Sequence, residues 1–209
     1  LVKPTQEELE SYKSLGMTEA IFRNDGGVLD NVVLHVPESE LLISLWRKPS
    51  LVITAMEIGS RKNAGNVLQD SAYARIGIRL APGMDAEECT DMLIDFLKER
   101  VPNGMEFQVE REDGANPFVT DTGHPFFKKM SEAMGDAYGT PTKFIGCGAS
   151  IPGAELFRNT FGDIPILLTG LEDPECNAHG ENESLYLPDF EHGILAETLF
   201  FASIAKEGK

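Results

Sequence analysis

The chain has 209 residues, of which 42% are hydrophobic and 25% are charged, as is typical of a globular protein large enough to bury a core. Its formal net charge at pH 7 is −16, and this excess of carboxylates disfavours binding to a nucleic-acid backbone or to an anionic membrane surface. No apolar run approaches the roughly 20 residues that a membrane span needs.

The cysteines and the first residues indicate the compartment. Cys89, Cys147 and Cys176 have no paired spacing, which favours a reducing, cytoplasmic environment in which each is an isolated thiol. The chain starts at Leu1 rather than at a methionine, and its opening residues lack the apolar segment of a signal peptide. We therefore expect the sequence to be an internal part of a longer polypeptide.

The first half of the chain predicts an α+β layer. Residues 4–15 are typical of a short acidic helix, and residues 24–31 of an irregular segment. Residues 85–101 predict a longer helix capped by Asp85. Three segments bounded by turn residues or alternating in polarity predict strands: residues 49–59, 74–80 and 105–112. Their short connections predict an antiparallel sheet with helices on one face, a layer that would be completed by a strand and a helix further upstream.

A polar linker rich in Gly and Pro, residues 112–125, is the best domain boundary, and it divides the chain into domains 1–117 and 118–209. The second domain is predicted to be part of an α/β fold. Its helices are predicted from apolar periodicity and from Pro and Gly at their ends: residues 126–139, 152–162 and 188–208. Its strands are predicted from short apolar runs: residues 142–150 and 164–170.

A polar loop follows the second of these runs. Residues 173–185 contain a histidine, a thiol and several carboxylates, at the end of a predicted buried strand, where open α/β sheets place their ligands. His179, at the centre of this loop, is a candidate metal ligand that Glu181 and Glu183 would orient. A lone loop histidine is more often solvated or hydrogen-bonded, and both interpretations stay open.

The run GCGASIP, residues 146–152, is a candidate binding segment, because small residues let backbone N–H groups approach a carboxylate or a developing oxyanion. Ser150 precedes a predicted helix, so an ordinary turn with a serine cap is the alternative. Arg79 is either a solvent-facing charge or a fork for a carboxylate. Asn66 follows a glycine, where a turn role is the default. The remaining histidines and the tryptophan are interpreted as structural: His35, His124, His192 and Trp46.

The order of these segments is more specific than any one of them. The segments LWRKPSLVITAMEIG, GNVLQDSAYARIGIRLAPGMDAEE, DTGHPFF, GASIP and NAHGENESL occur in this order along the chain. In these segments and their spacing the chain resembles the C-terminal portion of the di-metal peptidases that include carnosinase, cytosolic non-specific dipeptidase, aminoacylase and succinyl-diaminopimelate desuccinylase. The resemblance covers nearly the whole chain and is nearest to the dipeptidase branch.

The resemblance implies a catalytic α/β domain that carries two zinc or manganese ions and is interrupted by a lid domain that forms a homodimer. Residues 1–117 would be most of the lid, and residues 118–209 the last part of the catalytic domain. In this family a metal-bridging water attacks the peptide carbonyl, a glutamate acts as general base, and the metals polarise the carbonyl oxygen.

Carried over by position, the resemblance implies a role for each candidate residue. His179 would ligate a metal, Arg79 would hold the terminal carboxylate of the substrate, and Asn66 would reach the active site of the partner subunit. Ser150 and the backbone of Gly148 would bind substrate beside it.

The chain also departs from the family. The other metal ligands and the general base belong to N-terminal motifs that these residues lack, since no His-x-Asp occurs. Cys147 stands where the dipeptidase branch often has an acidic residue, so it is either a determinant of substrate choice or a common variant. Ala149 replaces a glycine of the family's motif. The expected function is therefore part of a metal-dependent peptidase acting on dipeptides or related N-acyl amino acids, inactive as this chain alone. The alternative is a non-catalytic dimerisation or binding module derived from the lid.

Overall fold

The structure is a computed structural model that describes residues 2–63, 65–148, 151–162 and 164–206. In this part of the chain the elements are α1 (Gln6–Ser14), α2 (Glu19–Asp25), α3 (Leu41–Arg47), β1 (Ser50–Glu57), β2 (Tyr73–Arg79), α4 (Ala86–Lys98), α5 (Pro125–Tyr138), α6 (Pro152–Phe161) and α7 (Leu187–Ala205). Short 3₁₀ turns lie at Glu38–Glu40 and Arg61–Asn63. The protein is α+β, and among the described residues none of the helices combines the length and the apolar character of a membrane span.

The helices predicted from the sequence are confirmed, and their ends have local causes. In α4 the carboxylate of Asp85 accepts a hydrogen bond from the N–H of Glu88 at 3.0 Å, which is the predicted cap. Helix α1 has a capping box, in which Thr5 and Glu8 each satisfy the other's backbone N–H. Helix α5 ends at Gly139, whose φ of 67° lies in the left-handed region that favours glycine.

Two helices were not predicted. Helix α2 extends into the segment 24–31 that was expected to be irregular, and Thr18 caps it by accepting a hydrogen bond from the N–H of Ile21 at 3.2 Å. The guanidinium of Arg23 then donates to the carbonyls of Leu29 at 3.2 Å and Val32 at 2.9 Å, which organises the loop that follows. Helix α3 buries Leu41 and Leu42.

Strands β1 and β2 pair in antiparallel fashion from Ser50 opposite Arg79 to Glu57 opposite Tyr73, with an irregularity between Ile53 and Ala55. The predicted antiparallel pairing is therefore correct. All eight residues of β1 are exposed, so neither face of this strand is covered within the described residues. The predicted layer of helices on one face is not observed there.

Three further strands were predicted, and for these the prediction was wrong. The described residues of 105–112, 142–150 and 164–170 form no strand ladder, although the sequence patterns are those of half-buried or buried strands. Periodicity identifies the face that a strand would bury, but a strand also requires a neighbour that supplies its hydrogen bonds. Side chains such as Phe107, Val109 and Leu168 accordingly remain exposed.

The described structure divides into two compact units, which we call the first and second unit. The first contains Leu1–Lys3, Ile43–Pro117 and Cys147–Pro152, and the second contains Pro4–Leu42, Phe118–Gly146 and Gly153–Lys209. One boundary coincides with the division after residue 117, but most of the first 42 residues belong to the second unit. The assignment of residues 1–117 to a lid stays a prediction.

The core of the second unit lies where α5 packs on α7. Helix α5 buries Phe127, Met130, Ala133 and Ala137, and α7 buries Ala196. The hydroxyl of Tyr138 donates to the carbonyl of Asp189 at 3.0 Å, which ties the end of α5 to the start of α7. Burial, and secondarily the negative charge of Asp189, raise the pKa of this hydroxyl.

Candidate functional site

The loop that carries His179 is held together by its own hydrogen bonds. The N–H groups of Gly180 and Ser184 donate to the carbonyls of Asn177 at 2.8 Å and Cys176 at 2.9 Å. The amide of Asn177 donates to the carbonyl of Glu181 at 2.7 Å. Cys176 is only 3% exposed and anchors the loop in the second unit. The thiol is thus a packing group, and the loop is a built structure.

Left-handed backbone gives this loop its shape. The φ angles of Asn177, His179 and Asn182 are 55°, 63° and 59°, and among the described residues these are the only non-glycine residues with positive φ. Such a conformation costs an ordinary residue about 1–2 kcal/mol, and asparagine and histidine tolerate it better than most. The side chain of His179 is exposed. Strain of this kind concentrated around one exposed imidazole is typical of a functional loop.

The chemistry of His179 fits one ligand of a metal site. A neutral imidazole is among the preferred ligands of zinc and other divalent transition metals. Within the described residues, no group of three or more His, Cys, Asp or Glu side chains is arranged to hold an ion. The role of His179 as a metal ligand stays a prediction. The orientation of the ring by Glu181 and Glu183 stays a prediction.

Arg79 and Gly148 both belong to the first unit. Arg79 is the last residue of β2, its side chain is exposed, and its strand partner is Ser50, the first residue of β1. Gly148 faces the end of α3, the helix that leads into β1: a Cβ at Gly148 would lie 3.0 Å from the carbonyl oxygen of Leu45. The candidate carboxylate fork and the candidate backbone segment thus belong to one compact unit, one beside the start of β1 and the other beside the end of α3.

The remaining candidate residues are Asn66, Ser150 and His179. Asn66 is exposed, on the segment between the second 3₁₀ turn and β2. Ser150 lies outside the described residues. His179 belongs to the second unit, so its loop is described separately from Arg79 and Gly148, which belong to the first. The substrate-binding and metal-binding roles of all five residues stay predictions.

Sequence reasoning missed the neighbours of Gly148. Cδ1 of Trp46 would lie 3.9 Å from a Cβ at Gly148, and the indole is half-buried. A signal was present, because Leu41, Leu42 and Leu45 have helical spacing just before Trp46. The structural interpretation of His124 is supported, since its Nδ1 accepts a hydrogen bond from the N–H of Phe126 at 3.2 Å and caps α5.

The described geometry can be compared with known proteins. The sequence pattern of Peptidase family M20/M25/M40 matches residues 5–202, nearly the whole chain. The chain belongs to this family. The resemblance to di-metal peptidases inferred from the motifs is confirmed.

Curated relatives in the M20/M25/M40 family are dipeptidases by name. The chain is 28% identical over 187 residues to cysteinylglycine-S-conjugate dipeptidase of Corynebacterium striatum, covering 88% of this chain and 41% of the relative. It is 27% identical to the Beta-Ala-His dipeptidase of Homo sapiens, covering 99% of this chain and 41% of the relative. The chain therefore spans about two fifths of the length of these relatives.

Solved structures of family members share the fold. Human carnosine dipeptidase 1 superimposes with a TM-score of 0.79 at 24% identity, covering 98% of this chain and 43% of that one. An M20 family metallo-carboxypeptidase from Sulfolobus solfataricus gives a TM-score of 0.81 at 21% identity, covering 95% of this chain and 45% of that one. At these identities the similarity shows the fold alone.

Proposed function

We propose that this chain is part of a metal-dependent peptidase that hydrolyses dipeptides or related N-acyl amino acids. The observation that supports the proposal is the loop around His179, which holds an exposed imidazole in left-handed backbone. The resemblance to the family implies that this histidine is its C-terminal metal ligand. The names of the relatives support the substrate class, since they include a Cys-Gly metallodipeptidase from Saccharomyces cerevisiae, 28% identical over 196 residues.

His179 would hold one of two divalent zinc or manganese ions, with the remaining ligands and the general base supplied from outside these residues. When bound, such ions polarise a peptide carbonyl and lower the pKa of water. The task of this chain is to present the imidazole in a fixed orientation, which the hydrogen bonds of Asn177, Gly180 and Ser184 support.

The first unit would bind the substrate. The planar guanidinium of Arg79 suits the two oxygens of a terminal carboxylate. The backbone at Gly148, with Ser150 beside it, would contact the peptide group, and Asn66 would reach the active site of a partner subunit. These roles belong to a cytoplasmic homodimer formed through the lid, residues 1–117.

A test requires the full-length protein, loaded with zinc or manganese and assayed on a panel that includes Cys-Gly and Beta-Ala-His. We expect hydrolysis, and we expect His179→Ala to lower kcat/KM at least about 100-fold, with a metal content reduced from two ions per chain. His35→Ala is the matched control, because His35 is also exposed and lies outside the loop. Full metal content and activity in His179→Ala would refute the proposed role.

The same assay addresses the alternative module. A full-length protein that dimerises but hydrolyses no member of the panel with either metal would favour the non-catalytic reading. Hydrolysis by the 209-residue chain alone would show that the ligands we expect from elsewhere are not essential.

A further inference from the structure

The segment Cys147–Pro152 belongs to the first unit, although the chain on both sides of it belongs to the second. It meets the end of α3 at Gly148. A Cβ at this position would lie 3.0 Å from the carbonyl oxygen of Leu45, which is tighter than nearly all real Cβ contacts. Only glycine therefore allows this approach without displacement, and Trp46 lies along the same contact.

The end of α3 also leads to Arg79. Helix α3 ends at Arg47, and β1 begins at Ser50, the strand partner of Arg79. The end of α3 thus contacts the backbone run, and the short connection after it leads into the strand that pairs with Arg79. A displacement of the run relative to α3 changes its spacing from Arg79.

We propose that Trp46, together with the Leu45 carbonyl, positions the backbone run at Gly148 at a fixed distance from Arg79. Two parts of one small substrate would then bind to the run and to Arg79, whose spacing is fixed. This inference rests on the proposed function, because it assumes that the run and Arg79 bind substrate. Trp46 acts through Gly148 and is a positioning residue. Its half-buried, rigid indole suits such a role, since preorganised contacts avoid an ordering cost on binding.

Gly148→Ala tests the contact in the metal-loaded, full-length protein. The new methyl group must push the run away from Leu45 by a few tenths of an ångström, so we expect KM for Cys-Gly to rise about three- to tenfold with kcat within about twofold. Gly153→Ala is the matched control, because a Cβ at Gly153 meets no atom of the described residues within 4 Å. We expect both kinetic parameters of this control to stay at wild-type values.

Variants of Trp46 distinguish positioning from mere stabilisation. We expect Trp46→Ala to raise KM as Gly148→Ala does, and Trp46→Phe to keep KM within about twofold because an aromatic ring remains against the run. A purely structural tryptophan would lower the melting temperature in Trp46→Ala without separating KM from kcat. Wild-type KM in folded Trp46→Ala would overturn the inference.

Fluorescence tests the contact without any assay of activity. Subtracting the spectrum of Trp46→Phe from that of the parent isolates the emission of Trp46, the single tryptophan of these 209 residues. We expect this emission to shift in Gly148→Ala and not in Gly153→Ala, and equal spectra would overturn the contact. A shift in a protein that hydrolyses no dipeptide would establish the contact while refuting both the proposed function and the positioning role.

Discussion

At the scale of single residues, the left-handed positions around His179 are the most informative feature of the molecule. Asn177, His179 and Asn182 occupy a region that most side chains avoid, and the hydrogen bond from Asn177 to the carbonyl of Glu181 at 2.7 Å maintains them. Gly180 makes room for the side chain of Asn177, whose Cγ would lie 2.6 Å from a Cβ at that position. The orientation of the imidazole therefore depends on a residue without a side chain.

Replacing Gly180 tests this dependence. We expect Gly180→Ala to expel the Asn177 side chain, break its hydrogen bond, and destabilise the loop by about 1–3 kcal/mol. In the full-length protein, metal affinity measured by competition with a chelator is expected to fall. Gly170→Ala is the control, since a Cβ there meets no atom of the described residues within 4 Å. Equal metal affinity in the two variants would contradict the expectation.

Arg79 allows a second test at this scale. We expect Arg79→Lys to raise KM for a dipeptide about tenfold with little change in kcat, because an ammonium cannot form two parallel hydrogen bonds with a carboxylate. The matched control is the same dipeptide with an amidated C-terminus, on which the variant and the wild type are expected to perform alike. A KM increase of equal size on both substrates would show that Arg79 acts on something other than the carboxylate.

At the scale of elements, the contact between α5 and α7 has a defined dependence on pH. The folded-state pKa of Tyr138 is raised above its ordinary value of 10.0, mainly by burial. A raised pKa stabilises the folded state below the ordinary value, and this contribution is lost as pH rises through the folded-state pKa.

Tyr138→Phe isolates that contribution. At pH 8 we expect the variant to unfold more easily by about 1 kcal/mol, because the hydrogen bond to the carbonyl of Asp189 is missing. The difference is expected to shrink as pH rises above about 10, where the wild-type hydroxyl ionises in the unfolded chain but is still protonated in the folded one. Urea denaturation at several pH values measures it. A difference that stays constant to pH 11 would contradict the pKa shift.

Helix ends were predictable from the sequence because their causes are local. Asp85 and Glu88 are three residues apart, and Gly139 follows α5 directly, so the sequence contains the whole reason for each boundary. Strands were less predictable. The periodicity of 105–112 and 164–170 is real, but pairing depends on a neighbour that periodicity does not identify.

The candidate site shows the same division between local and long-range causes. His179, Arg79 and Gly148 could be selected from residue type, spacing and family resemblance. The approach of Gly148 to Leu45 could not, because more than 100 positions separate them in the sequence. Only the fold shows that Trp46 adjoins the backbone run.

At the scale of the whole molecule, large apolar side chains remain uncovered. In β1, Leu51, Val52 and Ile53 are each at least 50% exposed, and Phe201 on α7 is 64% exposed. A two-stranded sheet is marginally stable on its own, and large exposed apolar patches often mark interfaces. The chain spans about 41% of the length of its curated relatives, and the covering surfaces are expected in the remainder.

A dye-binding comparison tests this expectation. We expect the isolated 209-residue chain to bind the fluorescent dye anilinonaphthalene sulfonate more strongly, per mole, than the full-length protein does. We also expect it to show no dipeptidase activity with added zinc or manganese. Weak dye binding and a cooperative unfolding transition in the isolated chain would indicate that the exposed faces are satisfied without additional sequence.

The alternation of the two units along the chain has a consequence for dissecting the protein. The polypeptide changes unit after Lys3, Leu42, Pro117, Gly146 and Pro152. A gene fragment that begins or ends at one of these points therefore encodes parts of both units, or it lacks part of one unit. Obtaining Arg79 together with Gly148 but without the loop around His179 therefore requires a rearranged gene in which residues 43–117 are rejoined to 147–152 by a new linker.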